Sequence, residues 1–307
     1  MILSLVLISC NFKEMKFELK EHRELTGIPS ASGLELTVNG IYVIGDDSPW
    51  LFNLDENYEI IDKIQLFPKR QFSDSVIKKM EKPDLEAIAK GNETGTILYA
   101  FGSGSKSPER DLMVEIDLNE RTSMEYPLKE LYSHIKDVAK LKGEQLNIEA
   151  AEVYKDHLYL FNRGENLIIK LSISEFKTYF NNNIALPALE IFRIDLPEID
   201  GIPSGFSGAS LDPEHGILFF TATVENTDNW IDDGEVLGSF IGIIPLSELK
   251  DNMKPDNMAI LLDKDLLRIK VESIAVIPPF KRGEAELVLV TDSDGGISEI
   301  LRGSLSY

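Results

Sequence analysis

The chain has 307 residues, of which 43% are apolar, with 21 Gly and 14 Pro; this composition is typical of a globular protein with one large β domain or two smaller domains. A formal net charge of −21 disfavours nucleic acid as a partner, because phosphate backbones would be repelled at long range. A single cysteine excludes an internal disulfide framework, and four scattered histidines lack the spacing of a zinc site.

The first ten residues, MILSLVLISC, form an apolar run that ends at Cys10. The run is too short to span a bilayer, but Leu7-Ile8-Ser9-Cys10 has the arrangement of a bacterial lipobox. We predict a lipoprotein-type signal and tether over residues 1–15. Two acyl chains on Cys10 would anchor the protein to the bacterial cell envelope, in the periplasm or at the outer membrane. Because no Lys or Arg precedes the run, an ordinary apolar N terminus is the alternative.

Residues 16–307 contain five similar units of roughly 50–60 residues, the length of a propeller blade. Each unit starts with a strand that carries a Glu or Ser and continues with a strongly apolar strand such as ILYAFG or LYLFN. The residues that align the units are Glu35, Glu86, Glu149, Ser207 and Glu272. Four antiparallel strands in such a unit predict an all-β fold, a five-bladed β-propeller. Six blades and a two-sheet β-sandwich are the alternatives.

The ends of the chain and two insertions complete this prediction. The last unit ends after three strands, whereas KFELKEHREL (16–25) precedes the first unit. We predict that this N-terminal strand completes the last blade and so closes the ring, which removes a sheet edge. Residues 127–145, between blades two and three, and residues 74–82 predict short helices.

The recurring glutamates are the main candidates for function. The first strand of each blade lines the central channel, so the fold would bring these carboxylates toward one another. Partly desolvated carboxylates need raised pKa values, arginine partners or a bound cation. One interpretation is a shared cation site, with Ca²⁺ a possible occupant. The other is structural, each Glu accepting backbone N–H bonds from the neighbouring blade. The predicted metal ligands are Glu35, Asp46, Glu86, Glu149, Glu272 and Asp292.

The loops after the second strands differ between blades, which is typical of a binding site on a regular scaffold. Arginines in two of them would bind a phosphate or carboxylate group. Ser207 lies in GFSGA (205–209), but a strand follows and no His is placed to serve it, which disfavours a nucleophile. The predicted ligand-binding residues are Arg110, Arg163, Ser207, Thr223 and Asp232.

Four segments carry a resemblance to a known family: DLEAIA, NIEAAEV, GFSGASL and TATVENTDNWIDDGEVLGSFIGI. They resemble an uncharacterised bacterial β-propeller family, itself distantly similar to phytase-like esterase and SdiA-regulated propellers. The resemblance implies five or six blades, a site at the axial mouth and, by analogy, bound Ca²⁺. Where those relatives often have Gly after the Glu, this chain has Ala87, Ala150 and Ser273. No established catalytic residue of an esterase or phytase maps onto this sequence.

Two functions follow from these observations. The first is a monomeric, lipid-anchored binding propeller that holds a small-molecule or anionic ligand, or a cation, at the axial mouth without established catalysis. The alternative is a calcium-dependent hydrolase of phosphoesters or esters, in which a metal-bound water attacks and Arg110 or Arg163 stabilises the oxyanion.

Overall fold

The computed structural model of the protein describes residues 15–70, 76–143, 145–182, 185–227, 234–255, 258–261, 269–292 and 297–307. In these ranges the chain forms five four-stranded antiparallel sheets, arranged as the blades of a propeller. The predicted all-β, five-bladed fold is therefore confirmed, and the β-sandwich and six-bladed alternatives are wrong.

The strands of blades one and two follow one another in chain order after the N-terminal strand β1 (Lys16–Glu24). Blade one consists of β2 (Ala31–Thr37), β3 (Gly40–Gly45), β4 (Trp50–Leu54) and β5 (Ile60–Gln65). Blade two consists of β6 (Leu85–Lys90), β7 (Ile97–Gly102), β8 (Leu112–Asp117) and β9 (Thr122–Pro127).

The other three blades carry the two helices and a small hairpin between them. Helix α1 (Lys129–Ala139) precedes blade three, which consists of β10 (Ile148–Tyr154), β11 (His157–Asn162), β12 (Leu167–Ser172), helix α2 (Ile173–Asn182) and β13 (Leu189–Arg193). A hairpin of β14 (Glu198–Ile199) and β15 (Ile202–Pro203) leads to blade four, formed by β16 (Gly205–Asp212), β17 (Ile217–Asn226), β18 (Glu235–Pro245) and β19 (Met258–Leu261). Blade five consists of β20 (Lys270–Lys281), β21 (Glu284–Asp292) and β22 (Glu299–Ser306).

The N-terminal strand closes the ring as predicted. β1 pairs antiparallel with β22, from Lys16 opposite Ser306 to Glu24 opposite Glu299. This pairing gives blade five its fourth strand, and it joins the two ends of the described chain. The first strands β2, β6, β10, β16 and β20 contact one another around the axis. Their facing side chains therefore share one central channel.

Apolar layers between the blades form the core. The layer between blades two and three contains Tyr99 and Phe101 of β7, Leu160 of β11 and Phe176 of α2. The rings of Tyr99 and Phe176 meet edge to face with centroids 6.2 Å apart, an orientation that aromatic pairs favour. Both helices thus cover one interface, and they hold blades two and three together.

The helix predictions were partly correct. Helix α1 lies inside the predicted range 127–145, and its Tyr132 hydroxyl donates to the carbonyl of Gly102 at 2.6 Å. Residues 76–82 form turns rather than the predicted helix. Helix α2 was missed, although Ser172 accepts the N–H of Glu175 and so marks a helix start of the Ser-x-x-Glu type. Neither helix in the described ranges has the length and apolar character needed to cross a bilayer.

Candidate ligand site at the propeller axis

A β-bulge at the same register interrupts the first strand of every blade. In β6, for example, Leu85 pairs with Gly102 and Ala87 with Phe101, which leaves Glu86 between them unpaired. Bulges turn a side chain out of the alternating pattern and are common beside functional sites. The bulged residues of the five blades are Ser32, Glu86, Glu149, Ser207 and Glu272.

This register corrects the alignment of blade one. The residue equivalent to Glu86 is Ser32 rather than Glu35, which pairs with Tyr42 three residues beyond the bulge. The side chain of Glu35 binds Lys90, Oε1 to Nζ 3.0 Å, and accepts the N–H of Leu36 at 2.9 Å. Glu35 is absent from the residues that line the axial cavity described next.

The bulged residues surround a cavity of about 440 Å³ at the axis. Part of its lining comes from two tiers of residues on the first strands or directly before them. One tier contains the bulged Ser32, Glu86, Glu149 and Glu272. The other contains the residues two positions earlier, which are Ser30, Asp84, Asn147, Gly205 and Lys270. A spacing of two residues keeps both tiers on one strand face, so KPDLEAIA places Lys82, Asp84 and Glu86 together.

The structure brings most of the predicted site residues to this cavity. Asp46, Glu86, Arg110, Glu149, Arg163, Thr223, Glu272 and Asp292 all line it. Ser207 does not: its hydroxyl donates to Thr221 Oγ1 at 3.1 Å and is fully buried. Asp232 and Cys10 lie outside the described residues. Lys82, Asp84 and Lys270 were missed, although the two-residue spacing before Glu86 and Glu272 is a signal that could have found them.

Blades one and two contribute a first charged sector, built around Asp84. The Lys82 ammonium contacts Asp46 and lies 3.0 Å from Asp84 Oδ1. The Arg110 guanidinium donates to Asp84 Oδ2 and, at 2.7 Å, to the Ser105 hydroxyl. Asp84 thus binds two cationic side chains, and the positive charges of Lys82 and Arg110 are compensated within the protein.

Blades three to five contribute a second charged sector, built around Glu225. Arg163 Nη2 lies 3.2 Å from Glu225 Oε2, and Lys270 Nζ lies 3.2 Å from Glu225 Oε1 and 3.0 Å from Glu272 Oε1. Asn147 donates its amide N–H to Glu149 Oε1. Arg163 is more distant from Glu149, at 3.9 Å, so the closest partner of that carboxylate is a neutral amide.

Burial and mutual repulsion shift the acidities of these carboxyl groups. Desolvation, together with the charges of Asp84, Asp46 and Glu149, raises the pKa of Glu86 well above its usual range. Desolvation also raises the pKa of Glu149 to about 8, against the attraction of Arg163. The pKa of Glu272 is raised for the same reason. Glu225 differs: its pKa is lowered, because Arg163 and Lys270 outweigh its desolvation.

Three carboxylates of the first sector could hold a metal ion. One oxygen from each of Asp46, Asp84 and Glu86 lies within 4.8 Å of the others, and carboxylate oxygens are the ligands that Ca²⁺ prefers. We refer to these three residues as the acidic triad. The ammonium of Lys82 already contacts two of its members, so a metal ion would compete with it.

The structural interpretation of the glutamates holds at other positions. Glu152, three residues after the bulge of β10, accepts the backbone N–H of Leu211 in the next blade. Serine hydroxyls act similarly: Ser210 accepts the N–H of Val276 at 3.1 Å, and Ser273 that of Leu34 at 3.1 Å. These bonds join adjacent blades, whereas the bulged glutamates face the cavity.

Five four-stranded blades around a cavity that contains both signs of charge define a β-propeller with a polar axial pocket. Among propellers, the chain belongs to the family DUF6929, described as a family of unknown function, whose model matches residues 27–305. No curated protein matches the sequence.

Solved structures support the fold at low sequence identity. Glutaminyl cyclase of Myxococcus xanthus has a TM-score of 0.53 at 9% identity, with 94% of this chain and 96% of that chain covered. The PQQ-bound aldose sugar dehydrogenase of Streptomyces coelicolor has a TM-score of 0.44 at 17% identity, covering 95% and 99%. Hydrazine synthase of Kuenenia stuttgartiensis has a TM-score of 0.40 at 8% identity, covering 89% of this chain and 66% of that chain, just under two thirds of its length. The first likeness bears on the fold alone, and the other two carry no argument.

Proposed function

We propose that this protein is a binding propeller that holds a small polar ligand in the axial cavity. The proposal rests on the position of the Glu86 carboxyl group and on the lack of a hydrogen-bond donor beside it. A bulge turns its carboxyl group into the cavity, and no described residue donates a hydrogen bond to it or forms an ion pair with it. The charge of Lys82 acts on Glu86, but a partly buried carboxyl group without a hydrogen-bond donor is unfavourable, and a bound ligand would supply that donor.

The cavity has the size and construction of a ligand site. About 440 Å³ lies within the range of small-molecule pockets, and the carboxyl groups of Glu86, Glu149 and Glu272 stand on first strands of the propeller. A site on strands holds its groups more precisely than a site on loops does. These features favour recognition of one compound over a general attraction of cations to the acidic surface.

A matched pair of variants tests this proposal. Glu86→Gln replaces a carboxyl group inside the cavity with an amide, whereas Glu35→Gln makes the same replacement at a buried first-strand position outside it. We expect a thermal-shift screen of small polar metabolites to find compounds that stabilise the wild type and the Glu35→Gln variant but not Glu86→Gln. If every stabilising compound acts equally on both variants, the axial cavity is not the binding site.

Calcium-dependent hydrolysis of a phosphoester or ester is the second candidate, and the acidic triad is the observation that favours it. Asp46, Asp84 and Glu86 would supply the ligand oxygens, and a bound Ca²⁺ would supply Lewis-acid activation of water. Arg110 and Arg163 would have to leave Asp84 and Glu225 to reach an oxyanion. The resemblance to phytase-like propellers that we infer from the four sequence segments would favour the same candidate by analogy.

Metal analysis of the purified protein separates the two candidates. The second candidate requires calcium to co-purify, or to raise the melting temperature in a titration that Asp84→Asn abolishes. Absence of both effects would remove its support and leave ligand binding without a metal.

We also propose that Cys10 is lipidated and anchors a monomeric propeller to the cell envelope. The support is the lipobox-like Leu7-Ile8-Ser9-Cys10. Expressed in a bacterial host, the wild type is expected in the detergent-soluble membrane fraction and a Cys10→Ala variant in the aqueous fraction. Equal partition of the two would contradict lipidation.

A further inference from the structure

Acidic groups outnumber basic groups in the lining of the axial cavity, and the basic groups already have partners within the protein. Eight carboxyl groups and six basic groups line it. Two of the basic groups, Lys78 and Lys79, are exposed at the mouth, so four remain inside: Lys82, Arg110, Arg163 and Lys270. Carboxyl groups are therefore twice as numerous as basic groups in the interior of the cavity.

All four interior basic groups already bind carboxylates of the protein itself. Lys82 and Arg110 bind Asp84, and Arg163 and Lys270 bind Glu225. An anionic ligand would have to break a buried ion pair to gain a partner, and removing one member of such a pair is strongly unfavourable. This arrangement disfavours a phosphate or carboxylate ligand, which we predicted from the two arginines in the sequence.

Some carboxylate oxygens of the cavity, in contrast, remain available. Asp46 Oδ1 is buried and accepts no hydrogen bond from any described residue, whereas Glu225 Oε1 is already bound by the Lys270 ammonium at 3.2 Å. In the second sector, the close partner of Glu149 is the neutral Asn147 amide, and Arg163 is 3.9 Å away. The side chain of Glu149 is only 7% exposed. Asp46 and Glu86 are therefore acceptors in the first sector, and Glu149 is an acceptor in the second.

Lys82 shows which kind of cation the first sector accommodates. Its primary ammonium group lies among the oxygens of the acidic triad, in contact with Asp46 and 3.0 Å from Asp84. A divalent metal ion between the three carboxylates would lie against this ammonium and be repelled by it. An organic ammonium at Glu86 carries half the charge of a divalent ion, so Lys82 repels it less at the same distance, and it also donates hydrogen bonds to the carboxylate oxygens.

We propose that the ligand of the axial cavity is a small organic dication, an aliphatic diamine or a compound with two similarly spaced ammonium groups. One nitrogen would bind Glu86 and Asp46 in the first sector, and the other would bind Glu149 in the second. Lys82 is then a specificity-determining residue, because it occupies the metal position of the triad. This inference rests on the proposed ligand-binding function.

Four probes of defined charge test the inference by isothermal titration calorimetry on the full chain: 1,4-diaminobutane, 1,4-butanediol, succinate and CaCl₂. We expect the diamine to bind and the other three not to bind. Glu86→Gln should weaken diamine binding at least tenfold, and the matched Glu35→Gln variant should stay within about twofold of the wild type, a difference of less than 0.5 kcal/mol. In Lys82→Gln, calcium binding should appear.

The outcomes separate this inference from the proposed function. Binding of succinate or the diol that is lost in Thr223→Phe, a variant that fills the cavity, would overturn the dication inference and leave a ligand-binding cavity in place. Diamine binding that is equal in Glu86→Gln and the wild type would overturn the site assignment. Calcium binding to the wild type, unchanged in Lys82→Gln, would overturn the role of Lys82. Binding of none of the four probes would overturn the dication inference and leave the metabolite screen to decide the proposed function.

Discussion

At the scale of single residues, the cavity is a set of buried carboxyl groups whose acidity depends on the folded structure. Glu149 is the clearest case, since burial raises its pKa to about 8 from an ordinary value of 4.5. Between these two pH values the folded state binds more protons than the unfolded state. Stabilisation by the protonated group is therefore complete below about pH 4.5 and is lost as the pH rises toward 8.

We expect Glu149→Gln to be more stable than the wild type at pH 8 and similar to it at pH 5. Glutamine keeps an oxygen that accepts the Asn147 bond but cannot ionise, and a shift from 4.5 to about 8 corresponds to a gain at pH 8 on the order of 4 kcal/mol. Urea unfolding at both pH values measures it, with Glu120→Gln, at an exposed position, as the control. A gain of equal size at pH 5 would contradict the assigned acidity.

Lys270 is the residue whose loss should be most harmful in the second sector. It binds Glu225 and Glu272, so Lys270→Met leaves two buried carboxylates with less compensation and should destabilise the protein by about 3 kcal/mol at pH 8. Because protonation of Glu272 relieves the repulsion, the loss should be smaller at pH 5.

The control for this variant is Lys20→Met, which removes an exposed ion pair with Glu286. Such pairs contribute about 0–1 kcal/mol. Thermal unfolding of the two variants at both pH values distinguishes them. A pH-independent loss in Lys270→Met would show that packing of its aliphatic chain, rather than charge compensation, is the dominant contribution.

At the scale of elements, the bulged first strands need a small residue directly after the bulge. A Cβ on Gly208 in β16 would lie 2.6 Å from Thr221 Oγ1 and 2.7 Å from the Cα of Ser273 in the next blade. The Ser273 backbone belongs to β20 and cannot move without shifting a neighbouring bulge. Close approach of adjacent first strands thus explains the glycine.

We therefore expect Gly208→Ala to cost about 2 kcal/mol or more through overpacking. The matched control is Gly33→Ala, at the same position in blade one. A Cβ there would lie 2.7 Å from Cγ1 of Ile44 and 3.1 Å from Cγ2 of Ile88, which are side-chain rather than backbone atoms, so the loss should be smaller than for Gly208→Ala. Urea midpoints compare the two variants, and equal losses would contradict the crowding of blades four and five.

At the scale of the whole molecule, one strand keeps the ring closed. β1 lies at the outer edge of blade five, and its pairing with β22 joins residues almost 300 positions apart in the sequence. Leu25, at its end, is buried and donates its N–H to Ser298 at 2.7 Å. Without this strand, β22 would present an unpaired edge, a template for association between chains.

We expect a chain that starts at residue 26 to lose its monomeric state, whereas one that starts at residue 15 should stay monomeric and folded. Light scattering after size-exclusion chromatography, together with circular dichroism, measures both properties. A stable monomer starting at residue 26 would show that three strands suffice for blade five.

Much of the architecture could be predicted from sequence, because the signals are local. Alternating strands such as LMVEIDLN and the repeated first-strand glutamates establish blades of fixed length, and the unmatched strand 16–25 predicts the closure. Glu86, Glu149 and Glu272 were found for the same reason, since each lies at the same position of its unit. Helix α2 was missed because its apolar residues were interpreted as a continuation of the β pattern.

What the amino-acid sequence determined by itself is therefore the number of blades, their closure and three of the carboxylates at the axis. The tertiary structure decided the rest: that Ser32 rather than Glu35 faces the cavity, and that Lys82, Lys270 and Glu225 complete the two sectors. The physical reason is that a bulge shifts by one residue which side chains face the cavity. No distinct sequence pattern marks the position of such a bulge. Ion pairs across the axis, moreover, join residues from different blades, and local periodicity carries no information about such pairs.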